Sequence, residues 1–235
     1  ALVNARLLDP ASDYDGPGAL LIENGRIVEV IRGTTAPLSS GAEVIDVDGL
    51  CLAPGLIDIR VKTGEPGAEP KETLKSASLS AAAGGVTTIV IQPDTDPAVD
   101  DPAMVDFIQR RGAALNLVNV HTAGCATRAM DGQRMAEIGL MSEAGALYFT
   151  DGDRVITNSR TLQRVMSYAA AFNALIACRP SEPWLSEGTV ATAGELATRL
   201  GLSGSPAIGE RIQLERDLAP VEQTGVRFPV DQIST

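Results

Sequence analysis

The sequence predicts an α/β protein: a (β/α)8, or TIM, barrel left incomplete after its sixth strand and preceded by a small β-sheet domain. Three observations predict it. Residues 1–52 hold short β-rich runs around an Asn24-Gly25 turn signal. From Pro54 onward, β-branched runs alternate with helical patterns in units of roughly 30 residues, the spacing of parallel strands joined by right-handed crossovers. Six such strands can be placed in a chain of 235 residues, whereas a whole barrel takes about 250. The barrel portion is accordingly expected over residues 53–235. An open doubly wound sheet is the alternative architecture, but it accounts less well for the leading small sheet.

The elements follow in order. Ala1–Leu8 reads as a strand closed by a turn at Asp9-Pro10. Ala19–Ile31 carries Asn24-Gly25 between two β-rich halves, a strong hairpin signal because both turn positions need positive φ. Glu43–Leu50 adds another strand. Barrel strands are expected at Leu56–Val61, Val86–Ile91, Leu115–Val120, Ala146–Phe149, Ala174–Cys178 and Val226–Val230. Helices are expected between them. Glu72–Ala83 has Leu74, Ala77, Leu79 and Ala82 at helical spacing and stops at Gly84-Gly85. Asp101–Gly112 and Asp131–Ala144 follow. Ser159–Phe172 places Leu162, Val165, Met166 and Ala169 on one face. Thr192–Leu200 and Pro206–Ala219 complete the set. Gly84-Gly85 ends a helix and precedes a strand, the reverse of the order a phosphate-cradling loop needs.

Composition narrows the function. With 44% hydrophobic residues and only 3% aromatics, the core must be built from Ala, Val, Leu and Ile. A net charge of −11 argues against nucleic acid and against an anionic membrane surface as partners. No apolar run approaches the ~18 residues of a membrane span, and no leader is visible, so a cytoplasmic location is expected. The three cysteines, Cys51, Cys125 and Cys178, are widely spaced and support neither a disulfide framework nor a Cys-x-x-Cys metal site. His121 is the single histidine, few for a zinc hydrolase.

Several blocks then point one way. They are Ala53-Pro-Gly-Leu-Ile-Asp58, Glu65-Pro-Gly67, Ala83-Gly-Gly-Val-Thr-Thr88 and Gln92-Pro-Asp-Thr-Asp-Pro97. Weaker ones are Phe149-Thr-Asp-Gly152, Leu196-Ala-Thr-Arg-Leu-Gly201 and Ile233-Ser-Thr235. In this order the chain resembles the dihydroorotases and related cyclic amidohydrolases over essentially its whole length. The resemblance implies an amidohydrolase-type barrel flanked by a small β domain. In active members, it implies a zinc site at the C-terminal strand ends. There the metal acidifies a water, and a carboxylate carries the proton in the reversible cyclisation of carbamoyl aspartate to dihydroorotate.

Position by position, the resemblance fails where that chemistry lies. The His-x-His pair of the first barrel strand is Arg60 and Lys62. The arginine that grips the substrate carboxylate is Gly64. The asparagine of the Pro-Asn-Thr block is Asp94. The acidic ligand after strand four is kept as Asp151, with Asp153 the alternative if the alignment shifts. The strand-five histidine is Cys178, and the one before the strand-six Ser-Thr is Gln232. Arginine has no lone pair for a metal, and lysine has one only after losing its proton. No catalytic residue is intact and no metal is expected.

Arg60 and Lys62 share one side of their strand by its period of two. They are expected to fill the vacated metal position through a salt bridge with Asp151; a small anion site is the other reading. Cys178 and Cys125 are expected as apolar filler, and His121 as a packed strand-end histidine. Trp184 is expected in a loop, where it could serve partner or packing contacts. The leading function is a catalytically inactive dihydroorotase-like protein of pyrimidine biosynthesis. The resemblance implies that such chains associate with aspartate carbamoyltransferase, hence a homo- or hetero-oligomer. The alternative is an active cyclic amidohydrolase with a rearranged site drawn from Asp151, Asp153, Asp231, Cys178 and His121, with or without zinc.

Overall fold

A computed structural model describes residues 1–33 and 41–233; Ser234 and Thr235 of the last resemblance block lie outside the described residues. The chain divides into two compact units, Ala1–Leu56 and Ile57–Thr235.

The first unit is a five-stranded sheet. Strands β1 (Leu2–Asp9), β2 (Tyr14–Glu23) and β3 (Arg26–Arg32) form an antiparallel meander in the order β3-β2-β1, and β4 (Ile45–Asp46) and β5 (Cys51–Leu52) both pair parallel with β1. The β2–β3 hairpin closes through Asn24 (φ 51°) and Gly25 (φ 73°), the two left-handed residues its sequence predicts. Ala5, Leu7 and Ala19 are its buried side chains. Gly18 is obligatory there, since a Cβ would lie 2.4 Å from Leu7 Cδ1 and 2.5 Å from the Ile31 carbonyl oxygen.

In the second unit, β6 (Leu56–Val61), β7 (Val86–Ile91) and β8 (Asn119–Thr122) form a sheet in that order, with β7 and β8 parallel. Parallel pairing continues past it. β9 (Gly124–Cys125) pairs with β10 (Phe149–Thr150), Phe149 bridges to Ile176, and Leu175 and Cys178 bridge to Arg227 and Val230. Helices α1 (Leu74–Ala83), α2 (Pro102–Leu115), α3 (Ile138–Glu143) and α4 (Ser159–Ala171) connect these strands. Their apolar faces, with Ile89, Ile91, Phe149 and Ile176 of the strands, make one core. The remaining segment holds α5 (Pro183–Ser186), β11 (Ala191–Thr192), α6 (Glu195–Arg199), β12 (Gly204–Ser205) and α7 (Ile208–Thr224), with β11 parallel to β12.

Local chemistry starts and stops these helices. Thr73 and Ser76 form a reciprocal capping box on α1. Asp101 caps α2 at Met104 N ahead of Pro102, and Asn116 ends it at φ 50°. Asn158 caps α4 through Arg160 N and Thr161 N. Where α2 crosses β8, Gly112 leaves room for Val120, whose Cβ would be 2.3 Å from a Cβ at that glycine.

The expected helix over 131–144 is only Ile138–Glu143. The Asp131 carboxylate accepts from Gln133 N (2.7 Å) and Arg134 N (2.9 Å), which satisfies those amides locally and turns the chain away from a helix. The strand expected over Leu115–Val120 lies at Asn119–Thr122, because α2 runs on to Leu115. Among the described residues no helix is long and apolar enough to cross a membrane.

Candidate functional site

The charged positions singled out from the sequence, and Arg179 beside them, sit where strands end. Arg60 is the penultimate residue of β6 and Lys62 lies just beyond its end. Asp94 follows β7, Asp151 and Asp153 follow β10, Arg179 follows Leu175–Cys178, and Asp231 follows Val230. In a parallel α/β architecture the C-terminal strand ends are where chemistry is built.

Three cations and three carboxylates interlock there. The Arg60 Nε donates to both oxygens of Asp231 (2.9 and 3.0 Å), and its Nη2 donates to Asp153 Oδ1 (2.7 Å). The Lys62 ammonium lies 2.8 Å from Asp94 Oδ2 and also donates to Asp153 Oδ2. Arg179 Nη1 donates to Asp153 Oδ1 (2.9 Å). Asp153 is therefore the hub, with three cationic donors on one carboxylate. The Lys62 ammonium, opposed by burial and joined by the Arg60 guanidinium, holds it at about 2. The backbone of Cys178 positions Asp231, whose N–H donates to the Cys178 carbonyl (3.0 Å).

Asp151 takes no part in this network, contrary to the expected salt bridge with Arg60 and Lys62. It is buried and accepts from Thr127 N (2.9 Å) and Thr127 Oγ1 (2.5 Å). Thr127 Oγ1 in turn accepts from Gly132 N (2.9 Å). Burial pushes the Asp151 carboxyl up to about 6, opposed by the Thr127 donors. The reason for the exchange is the turn at Gly152 (φ 62°), which sends Asp151 inward and Asp153 to the mouth.

The other expected positions are placed as follows. Gly64 is buried in a tight loop, its N–H on the Glu72 carbonyl (2.8 Å); a Cβ there would lie 1.9 Å from the Ala68 carbonyl oxygen. No arginine fits that loop without moving its backbone. Asp94 is spent on Lys62. The thiol of Cys178 packs against the core and burial raises it well above its ordinary value; the same holds for Cys125. Gln232 is exposed at φ 59° and lines a cleft of about 960 Å³ shared with Asp153, Arg179 and Ser181. His121 is half-buried in β8; among the described residues no hydrogen bond joins it to Asp151, Asp153, Asp231 or Cys178. It lines a separate cleft with Gln109 and Asn116.

Sequence reasoning missed three groups. Arg179 could have been found as a cation directly after a strand. Thr127 carries no such signal. The third is a pair: buried Gln92 donates from Nε2 to the Tyr148 hydroxyl, which donates to the Ile59 carbonyl (2.5 Å). Burial drives the Tyr148 phenol up to about 12.

This donor set does not fit zinc. Zinc sites need neutral imidazoles, thiolates or free carboxylates. Here two strand positions carry permanent cations, the thiols are held protonated, Asp151 is enclosed by Thr127, and Asp94, Asp153 and Asp231 are ion-paired. Among the described residues no three His, Cys, Asp or Glu side chains are grouped so as to hold a metal ion.

Comparison with known proteins gives a consistent relationship. A family model described as dihydro-orotase-like matches residues 49–235. The chain is 36% identical over 232 residues to a dihydroorotase of Pelobacter propionicus, covering 99% of this chain and 54% of that protein. It is 36% identical over 231 residues to a dihydroorotase-like protein of Pseudomonas aeruginosa, with 98% and 54% covered. The chain thus spans about half the length of the curated relatives it matches. Among solved structures, an L-hydantoinase from Arthrobacter aurescens superimposes with a TM-score of 0.78 at 21% identity, over 99% of this chain and 52% of that one. At that identity the likeness speaks to the fold alone.

Proposed function

The chain belongs to the dihydroorotase-like family, and from that premise we propose that it is a member without dihydroorotase activity, serving as a structural partner of aspartate carbamoyltransferase in pyrimidine biosynthesis. One observation carries the loss of activity. The positions where active relatives are expected to hold zinc are occupied by Arg60 and Lys62, both ion-paired to carboxylates of neighbouring strand ends. A metal entering there would have to displace two fixed cations and would find no neutral imidazole. The substrate-gripping arginine is lost at Gly64, and Asp94 adds negative charge where an anionic substrate would bind.

We also read the parallel run from β6 to Val230 as an open portion of a barrel. Ile57 and Ile59 of β6 are exposed, an apolar edge of the kind that closure removes. The partnership rests on the family relationship and on the preserved frame around the altered site.

A rearranged but active amidohydrolase is the competing reading. Its one supporting observation is Asp151, whose carboxyl, at about 6, lies in the range useful to a general base. The test is dihydroorotate hydrolysis by the full-length protein with added zinc, beside an active relative, with metal content measured after purification without chelator. The expected outcome is no turnover and below about a tenth of an equivalent of zinc. Turnover near that of the relative would overturn the inactive reading. Co-expression with the cognate transcarbamoylase is expected to give co-elution in gel filtration. Separate elution at micromolar concentration would remove the partnership.

A further inference from the structure

Asp153 differs from its two companion carboxylates. Asp94 and Asp231 each meet one cation of the network, whereas Asp153 receives Arg60, Lys62 and Arg179 together, two guanidinium donors on Oδ1 and one ammonium on Oδ2. Its own side chain is the most exposed of the three, 45% against 27% for Asp94 and 14% for Asp231. It stands on a short turn, with Gly152 (φ 62°) before it and the Arg154 N–H bonded to the Asp151 carbonyl (3.0 Å) after it. Open space adjoins it on both sides. The cleft of about 960 Å³ is lined by Asp153 and Arg179, and another of about 500 Å³ by Lys62 and Asp94.

We propose that Arg60, Lys62 and Arg179 form a recognition site for a small organic carboxylate, and that Asp153 is its tethered occupant. The three donors come from two different strand ends, Arg60 and Lys62 from β6 and Arg179 from the segment after Cys178, and converge on the two oxygens of one planar group. That arrangement, with guanidinium donors on one oxygen and a point charge on the other, is how a carboxylate is held. Asp231 and Asp94 engage other donor hydrogens of Arg60 and Lys62 and fix these side chains in place without entering the shared position. A free carboxylate reaching the cleft from solvent exchanges with Asp153, and the effective concentration of the tethered group sets how strongly it must compete. This assignment rests on the reading of the mouth as metal-free, but not on the carbamoyltransferase partnership.

The test is Asp153→Ala in the full chain, melted in sodium acetate and in sodium chloride at equal ionic strength. The variant is expected to melt below the wild type. Acetate at about 100 mM is expected to raise its midpoint by about 3 °C more than chloride does, as a ligand specific to the native state must. The wild type is expected to show less than a third of that difference. Adding Arg179→Ala to the variant is expected to abolish it.

Equal stabilisation by acetate and chloride would overturn the proposal, as would an acetate effect that survives loss of Arg179. If Asp153→Ala does not fold in chloride, recovery of folding in acetate supports the site. The isosteric Asp153→Asn, titrated calorimetrically with acetate, then decides: heat of binding at least tenfold tighter than for wild type supports it, and no binding overturns it. Zinc content and dihydroorotate hydrolysis of the wild type are separate readouts. Failure of the inactive reading would appear there, and failure of the carboxylate site only in the acetate series.

Discussion

Asp151 and Asp153 are the same residue type two positions apart, yet the protein drives them in opposite directions. Asp151 is enclosed, its donors are the uncharged N–H and O–H of Thr127, and burial pushes it up to about 6. Asp153 is half exposed, its donors are Lys62, Arg60 and Arg179, and Lys62 and then Arg60 hold it at about 2. Neutral hydrogen bonds offset desolvation only in part, while full charges at contact distance outweigh it. A carboxylate at these strand ends is thus used in two ways: one as an interior brace, one as counter-ion to a cluster of cations.

The largest effect should come from removing the cation that joins the mouth together. Arg60→Ala leaves Asp231, with 14% of its side chain exposed, without the guanidinium whose Nε donates to both its oxygens. Because Asp231 stays partly solvated, a loss of about 2 kcal/mol is expected in denaturant titration. Arg60→Lys should recover less than half of it, since a lysine has no separate nitrogens to serve Asp231 and Asp153 as Nε and Nη2 do. A loss below about 0.5 kcal/mol would mean that the network is a solvated ornament.

Asp151→Asn sharpens the contrast through pH. The folded carboxyl titrates near 6, above its unfolded value of about 3.9. Its contribution to stability is therefore full below about pH 4 and is lost as pH rises through 6. Replacing it by Asn should remove that slope, and the two stability curves should differ by about 2 kcal/mol more at pH 7 than at pH 4. Parallel curves over that window would place the raised titration elsewhere.

Thr127→Val removes the hydroxyl that serves both Asp151 and the Gly132 N–H. A cost of about 1 kcal/mol is expected. The Asp151 midpoint, followed by carbon NMR, should move above 6, since a donor that opposes the shift is lost. An unchanged midpoint would assign the shift to burial alone.

Asp153→Asn should give the smallest change. Its folded value lies near 2, below the unfolded one, so its contribution is present above about pH 4 and is lost as pH falls through 2. With 45% of the side chain exposed, solvent screening reduces this to under about 1 kcal/mol, and added salt should shrink it further. A loss as large as that of Arg60→Ala would reverse the ranking of hub and bridge.

Much of the fold was legible locally. Asn24-Gly25 specified its hairpin, because only residues tolerant of positive φ close a two-residue turn. Apolar spacing at Leu74 and Ala77 marked α1, and Leu162, Val165, Met166 and Ala169 announced the buried face of α4, while the caps at Thr73 and Asn158 were read only from the structure. The reading failed at 131–144, where Asp131 offers the backbone a competing local bond. It also failed to separate Asp151 from Asp153. A strand period of two sends residues i and i+2 the same way, and only the Gly152 turn breaks that parity.

By itself the sequence determined the alternation of strands and helices, the family, and the side-chain types on hand: two cations at Arg60 and Lys62, a glycine at 64 and one histidine at 121. Those are properties of residue type, present in any conformation. Only the tertiary structure decided which carboxylates meet the cations. Asp94, Asp153 and Asp231 lie 32, 91 and 171 residues or thereabouts from the lysine or arginine they bind. Pairing at that separation is set by which strand ends the sheet brings side by side and by how much water each keeps, and neither quantity exists until the chain has folded.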